Sequence, residues 1–86
     1  MNYLSVLLNI YMQKLYSATA EGNKITIFNI INGTKVNSVS FANETIINGP
    51  VVTNNLMCVI IKDRAGKLKG KVYNLPNATL KYSYTV

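Results

Sequence analysis

Histidine and tryptophan are absent from this 86-residue chain, cysteine occurs once, and acidic residues number three. Each shortage closes off some chemistry. Without histidine the Ser-His and Cys-His nucleophile arrangements cannot form, and no zinc site can be assembled from cysteine and histidine. A single cysteine, Cys58, excludes an intrachain disulfide. Lying in an apolar stretch, it reads as a buried structural thiol rather than a reactive one. The acids Glu21, Glu44 and Asp63 are scattered, which leaves no carboxylate pair for hydrolysis. Gly66 and Gly70 lack the spacing of a nucleotide-binding loop. The residues point to a non-enzymatic protein that carries no cofactor or metal. No run approaches the roughly 18 consecutive apolar residues that span a bilayer.

What is present is regular. Apolar residues make up 49% and charged residues 14%, a balance that excludes disorder and leaves room for one small domain. The chain also repeats itself once. Ile27-Phe28-Asn29-Ile30, one residue, then Asn32-Gly33-Thr34 returns as Val72-Tyr73-Asn74-Leu75, Pro76, Asn77-Ala78-Thr79, an offset of 45 positions. Upstream, Leu15 to Thr19 aligns with Met57 to Ile61 at an offset of 42, which implies a three-residue insertion between Lys62 and Lys71. Insertions in repeats collect in surface loops, where they do not disturb the shared packing.

The coarse reading is strand almost throughout. Ser5 to Tyr11 and Leu15 to Thr19 form a hairpin. Lys24 to Ile30 alternates polar and apolar before an Asn32-Gly33 turn, and Lys35 to Phe41 closes the first unit. The second unit runs through Val51 to Thr53, a turn at Asn54-Asn55, Leu56 to Lys62, Lys71 to Leu75, a turn at Pro76 to Ala78, and Leu80 to Thr85. Gly49-Pro50 marks its entry, since proline suits a strand start. The competing reading near the start is a helix over Tyr3 to Tyr16, where Leu4, Leu7, Leu8, Tyr11 and Leu15 have helical spacing. Leu4 to Met12 followed by Ser17-Ala18-Thr19-Ala20 also imitates a secretory signal. No basic residue precedes the run, however, Asn9 interrupts it and Lys14 follows it, so strand is preferred over a cleaved signal.

Charge is the remaining feature. The net charge is +6, and Lys62, Arg64, Lys67, Lys69 and Lys71 crowd one stretch with only Asp63 among them. This is a candidate basic binding loop for anionic headgroups at a membrane surface, for an acidic protein, or for nucleic acid. Nucleic acid is the least supported of the three, because no aromatic is interleaved as a stacking platform. The plain reading is a solvated hairpin whose charges keep an edge soluble. Three Asn-x-Thr triplets, at Asn32, Asn43 and Asn77, follow from the abundance of asparagine.

A period in the forties with strand-like segments is the length of one four-stranded propeller blade. The entry Asn48-Gly49-Pro50-Val51-Val52, the apolar hairpin, Val72-Tyr73-Asn74-Leu75 and the aromatic Tyr82 resemble the blade pattern of PQQ-like β-propellers. In that pattern a Pro-Val-Val entry precedes an aliphatic-Asp turn, a Thr-Gly step and a Trp. This chain departs from it in several places. Asn29 and Asn74 replace the turn Asp, Gly33 is kept in one unit but becomes Ala78 in the other, and Asn37 and Tyr82 stand where the Trp packs between blades.

The resemblance implies an all-β chain of two four-stranded antiparallel blades, 1–44 and 45–86, forming part of one propeller domain. Asn29, Gly33, Pro50, Asn74 and Tyr82 would be its structural motif residues. The family includes quinoprotein dehydrogenases and the lipoprotein subunit of the outer-membrane β-barrel assembly machine. Without a stacking Trp or calcium-ligating carboxylates, a PQQ enzyme is not expected. A protein-binding scaffold in the cell envelope, on the periplasmic side, is the implied role. Two blades cannot close a ring, so the expected partners are further blades, copies of this chain that complete a ring, or outer-membrane assembly proteins. The alternatives are a remnant of a split propeller and a basic module for anionic membrane or nucleic acid.

Overall fold

The computed structural model describes residues 15–53 and 55–86, all strand and turn with no helix among them. The expected Ser5 to Tyr11 strand, with the helix and signal readings of the same stretch, lies outside the described residues, as does Asn54. Seven strands follow: β1 (Tyr16–Glu21), β2 (Lys24–Asn29), β3 (Lys35–Ser40), β4 (Thr45–Thr53), β5 (Leu56–Lys62), β6 (Leu68–Asn74) and β7 (Thr79–Thr85). They form two antiparallel sheets, one of three strands in the order β1-β2-β3 and one of four in the order β4-β5-β6-β7. Within each sheet consecutive strands are hairpin neighbours, the connection that short polar turns between alternating segments favour.

The two sheets are repeats in structural detail. In β2–β3 the register slips between Ile27 and Phe28, and in β6–β7 it slips between Val72 and Tyr73, the same step of the sequence repeat. The following turns also correspond. The N–H of Gly33 donates to the carbonyl of Asn29 at 2.8 Å, and that of Ala78 donates to the carbonyl of Asn74 at 2.8 Å. Both residues closing the turn are left-handed, Gly33 at φ 73 and Ala78 at φ 60. The loops run over residues 30–34 and 75–78, longer than the turns at Asn32-Gly33 and at Pro76 to Ala78 expected from the sequence.

Several expectations are corrected. Tyr16 pairs with Asn29 and Leu56 pairs with Asn74, so the first strands of the two hairpins align at an offset of 40 rather than 42. The insertion is therefore five residues. Part of it lengthens β5 and β6 by one pair, and the rest expands the tip from Gly22-Asn23 to Asp63–Lys67. The stretch read as a loop up to Lys71 is thus strand from Leu68 onward. Pro50 does not open a strand either. It lies inside β4, within the register slip between Asn48 and Val51. A proline is tolerated there because β4 is an edge strand and a bulge needs no ladder donor.

One core joins the sheets. It contains Ile25 and Ile27 from β2, Phe41 from the link between the sheets, Met57, Val59 and Ile61 from β5, Tyr73 from β6 and Leu75. Tyr16, Ala18, Val39, Ile46, Val52 and Ala78 pack around it. Each fully buried aliphatic here contributes roughly 1.5–3 kcal/mol relative to exposure.

The faces used are not equivalent. Ile27 of the first sheet corresponds to Val72 of the second, yet Ile27 is in the shared core and Val72 is outside it. Tyr73 is in the core, and its counterpart Phe28 is outside. The sheets therefore stack head to tail. The face bearing Ile25, Ile27 and Ala18, the trailing face, is covered by the Met57, Val59, Ile61 and Tyr73 face of the next unit, the leading face.

The matched turns carry a test. Only glycine adopts positive φ without steric cost, so Gly33→Ala is expected to lower stability by about 1 kcal/mol. Ala78→Gly should raise it by about 0.5 kcal/mol, because relief of the left-handed strain exceeds the entropy gained by the unfolded chain. Urea denaturation midpoints measure both effects, and a lower midpoint for Ala78→Gly would contradict the assigned turn.

Candidate functional site

The basic stretch is more ordered and less free than its composition suggests. Asp63 organises the hairpin tip. Its Oδ1 accepts the backbone N–H of Ala65 at 2.9 Å and that of Lys67 at 2.8 Å, and its Oδ2 lies 3.3 Å from the Lys69 ammonium. The hydrogen bond from the Lys67 backbone, helped by Lys69 and Ala65 and opposed by burial, holds the Asp63 carboxyl below its ordinary value of 3.8.

Lys71 turns inward to the seam between the sheets. Its ammonium donates to both oxygens of Glu44, at 3.0 and 3.2 Å, and stands 5.6 Å from the centre of the Phe41 ring. The side chains of Lys71 and Glu44 are only 19% and 21% exposed. Lys71 is thus spent on a shielded pair, and Lys69, 39% exposed, is held by Asp63 at the surface of the hairpin tip. Lys62 at the end of β5, Arg64 in the tip and Lys67 before β6 are exposed. The five basic residues do not form one surface.

The seam has its own polar geometry. Phe41 meets Tyr73 edge to face, with ring centroids 6.1 Å apart. Its backbone is pinned to Asn23, whose Nδ2 donates to the Phe41 carbonyl at 2.9 Å. Asn37, which stands where the resembled pattern has its Trp, donates from Nδ2 to the carbonyls of Pro76 and Asn77, at 3.2 and 3.0 Å. A β3 residue of the first sheet thus holds the β6–β7 turn of the second. Burial above all, with the Glu44 charge adding to it, raises the Tyr73 hydroxyl above its ordinary value of 10.0.

The other motif residues are spread along the two repeats. Asn29 shapes its turn, with Oδ1 accepting the N–H groups of Ile31 at 2.8 Å and Asn32 at 3.3 Å. Asn74 instead donates from Nδ2 to the Thr79 hydroxyl at 3.4 Å. Tyr82 occupies the position equivalent to Asn37, on the trailing face of the second sheet, which no third sheet among the described residues covers.

That trailing face is the most distinctive surface among the described residues. Val51, Cys58, Val72 and Tyr82 lie side by side across β4 to β7, and Ile60, Gly70 and Tyr84 form the next row. Val51 is 59% exposed, Tyr82 52% and Tyr84 45%. Val72 is covered. The Tyr84 ring lies over Gly70 so closely that a Cβ there would collide with it.

Cys58 is therefore not a buried core thiol. It is half-buried on this open face, with Sγ 3.9 Å from the Tyr84 hydroxyl. That contact, with the Cys58 charge, raises the Tyr84 hydroxyl above its ordinary 10.0. Sequence reasoning missed Tyr84 and Val51 as members of this surface. The i, i+2 spacing of Tyr82 and Tyr84 in a strand puts both on one face and was the available signal.

Among the described residues no group of three or more His, Cys, Asp or Glu side chains is placed to hold a metal ion. No family model, curated protein or solved structure matches the chain.

Alkaline titration checks the seam. A tyrosine whose value is raised by folding contributes stability that is complete below about pH 10 and lost as the pH rises through the folded value. Tyr73→Phe cannot ionise there. Its stability relative to the parent is therefore expected to rise above pH 10 and stay constant between pH 7 and 9, as read by denaturant titrations at each pH. A double-mutant cycle on Glu44→Ala and Lys71→Ala is expected to give a coupling of about 1 kcal/mol, the pair being shielded but not fully buried.

Proposed function

We propose that the chain is a pair of consecutive four-stranded blades of the PQQ-like propeller type, 1–44 and 45–86, working as a non-enzymatic protein-binding scaffold. The observation that carries this reading is the head-to-tail packing of two repeats, with the trailing face of one beneath the leading face of the next. A two-fold sandwich would bring like faces together. Radial or solenoidal stacking brings unlike faces together and leaves one unsatisfied face at each end. The hydrogen bonds from Asn37 to the following turn, at the position where the resembled family locks blade to blade, support the same reading.

The scaffold presents its partner-binding surface on the trailing face of the second unit, around Val51, Tyr82 and Tyr84. An apolar face whose two tyrosines stand on the edge strand β7, with the Tyr84 ring reaching over Gly70 of β6, has the composition of an interface. The partner that the resemblance implies is the outer-membrane protein assembly machinery, on the periplasmic side. The basic-module alternative loses support from the pairing of Lys69 and Lys71 with Asp63 and Glu44.

The reading is tested by titrating the chain against the outer-membrane assembly complex stripped of its own propeller subunit. Saturable binding is expected, weakened at least tenfold by Tyr82→Glu and unaffected by Lys67→Glu. Binding that depends on Lys67 but not on Tyr82 would replace the scaffold with the basic module, and no binding at all would end the envelope assignment.

A further inference from the structure

We infer that the trailing face of the second sheet is a self-association surface, on which a second copy of this chain docks by the same face about a two-fold axis. The inference rests on the reading of the two sheets as head-to-tail units; in the free chain a second copy occupies the surface proposed above, and an assembly partner has to displace it.

The internal interface shows what such a face requires. In the first sheet the equivalent residues Tyr16, Ala18, Ile25, Ile27 and Val39 are covered by an apolar leading face made of Met57, Val59, Ile61 and Tyr73. A second copy docking head to tail would have to supply the leading face of its own first unit. Register places Ser17, Thr19, Glu21, Lys24, Thr26 and Phe28 there, the counterparts of Met57, Val59, Ile61, Lys69, Lys71 and Tyr73.

Four of the six counterparts are uncharged on the second unit and three of those are aliphatic or thioether. On the first unit Phe28 is the one apolar side chain left among the six. A hydroxyl-rich face with a carboxylate and an ammonium gains little from covering Val51 and Tyr82, and it is penalised for each polar group that loses water without a partner. Such a polar face is the mark of a terminal cap in repeat proteins. Among the described residues, the apolar surface of matching size that a second copy offers is the same trailing face.

Like-on-like contact is also compatible with charge. In the two rows Val51, Cys58, Val72, Tyr82 and Asn48, Ile60, Gly70, Tyr84 there is no charged residue. The nearest cation on that face is Lys62, at the hairpin end opposite Leu68. An isologous contact therefore sets the β7 tyrosines and the β4 and β5 aliphatics of one copy against those of the other and leaves Lys62 at the rim, with apolar groups inside and charge outside as in protein interfaces. Four strands about 4.8 Å apart and about seven residues long give a face of about 19 by 24 Å. Two such faces bury roughly 900 Å², below the range of stable specific interfaces and within that of weak, transient ones, so the pair is a reversible rather than an obligate dimer.

The single cysteine makes the geometry testable on the unmodified chain. Two sheets packed face to face stand about 10 Å apart, which brings Cys58 of one copy near Cys58 of the other. In a head-to-tail ring each interface contains only one Cys58. Light scattering after size exclusion, between about 10 and 500 µM, is expected to move from the 9.5 kDa monomer to twice that mass. A bis-maleimide of about 10 Å span should link two chains through Cys58.

Val51→Glu and Tyr82→Glu should each raise the dissociation constant at least tenfold and abolish the cross-link. Thr19→Glu, on the opposite end face, should change neither. A β-rich monomer at every concentration overturns the pair and leaves the head-to-tail reading standing. A trimer or tetramer without the Cys58 link overturns it in favour of ring closure. Loss of β-structure in the parent chain itself would remove both.

Discussion

Everything in this structure depends on the burial of the first sheet's Ile25 and Ile27 beneath Met57, Val59 and Ile61 of the second. A three-stranded sheet of six-residue strands has no opposing layer of its own, and hairpins without one are marginal in water. Stacking the second sheet on it supplies that layer. Because the chain solves the problem by repeating a unit rather than by folding one sheet onto itself, the covering face and the covered face differ. That asymmetry leaves the Tyr82 and Tyr84 face open at one end and a hydroxyl-rich face at the other.

Apolar burial is non-directional and does not by itself choose how two sheets are rotated. The polar seam makes that choice. Asn37 reaches the carbonyls of Pro76 and Asn77, Asn23 fixes the Phe41 backbone, and Lys71 links β6 to Glu44 just before β4. Each of these groups comes from one unit and is answered by the other or by the link between them. The conspicuous lysine cluster is thus divided between two tasks. Lys69 steadies a turn with Asp63, Lys71 steadies the seam, and the remaining members are exposed.

Legibility followed the range of the interactions. β5, Leu56–Lys62, was readable end to end, because a run of alternating large apolar residues between turn-formers has one simple solution. The repeated turns were readable because Asn29, Gly33 and their counterparts act within a few residues of themselves. The alignment of β1 with β5 was misplaced by two residues, since offsets of 40 and 42 put the same side chains on the same face and only cross-strand pairing separates them. Pro50 was misread as a strand start because a bulged edge strand and a strand terminus make the same local demand on proline. Cys58 was misread because an apolar strand with both faces apolar carries no mark of which face will be covered.

By itself, then, the amino-acid sequence determined the all-β character of the described residues, their repeat, the neighbourhood of their turns and the absence of histidine-based chemistry. These properties follow from side-chain periodicity, backbone preference and composition, none of which needs a distant partner. Tertiary structure alone decided which face of each sheet is interior, that Val72 and Ile27 part company despite their equivalence, and that Lys71 is an internal ion while Tyr82 is external. Those outcomes depend on which surfaces meet. In a duplicated chain equivalent residues meet different surroundings, and only the stacking direction settles which face of each unit is covered.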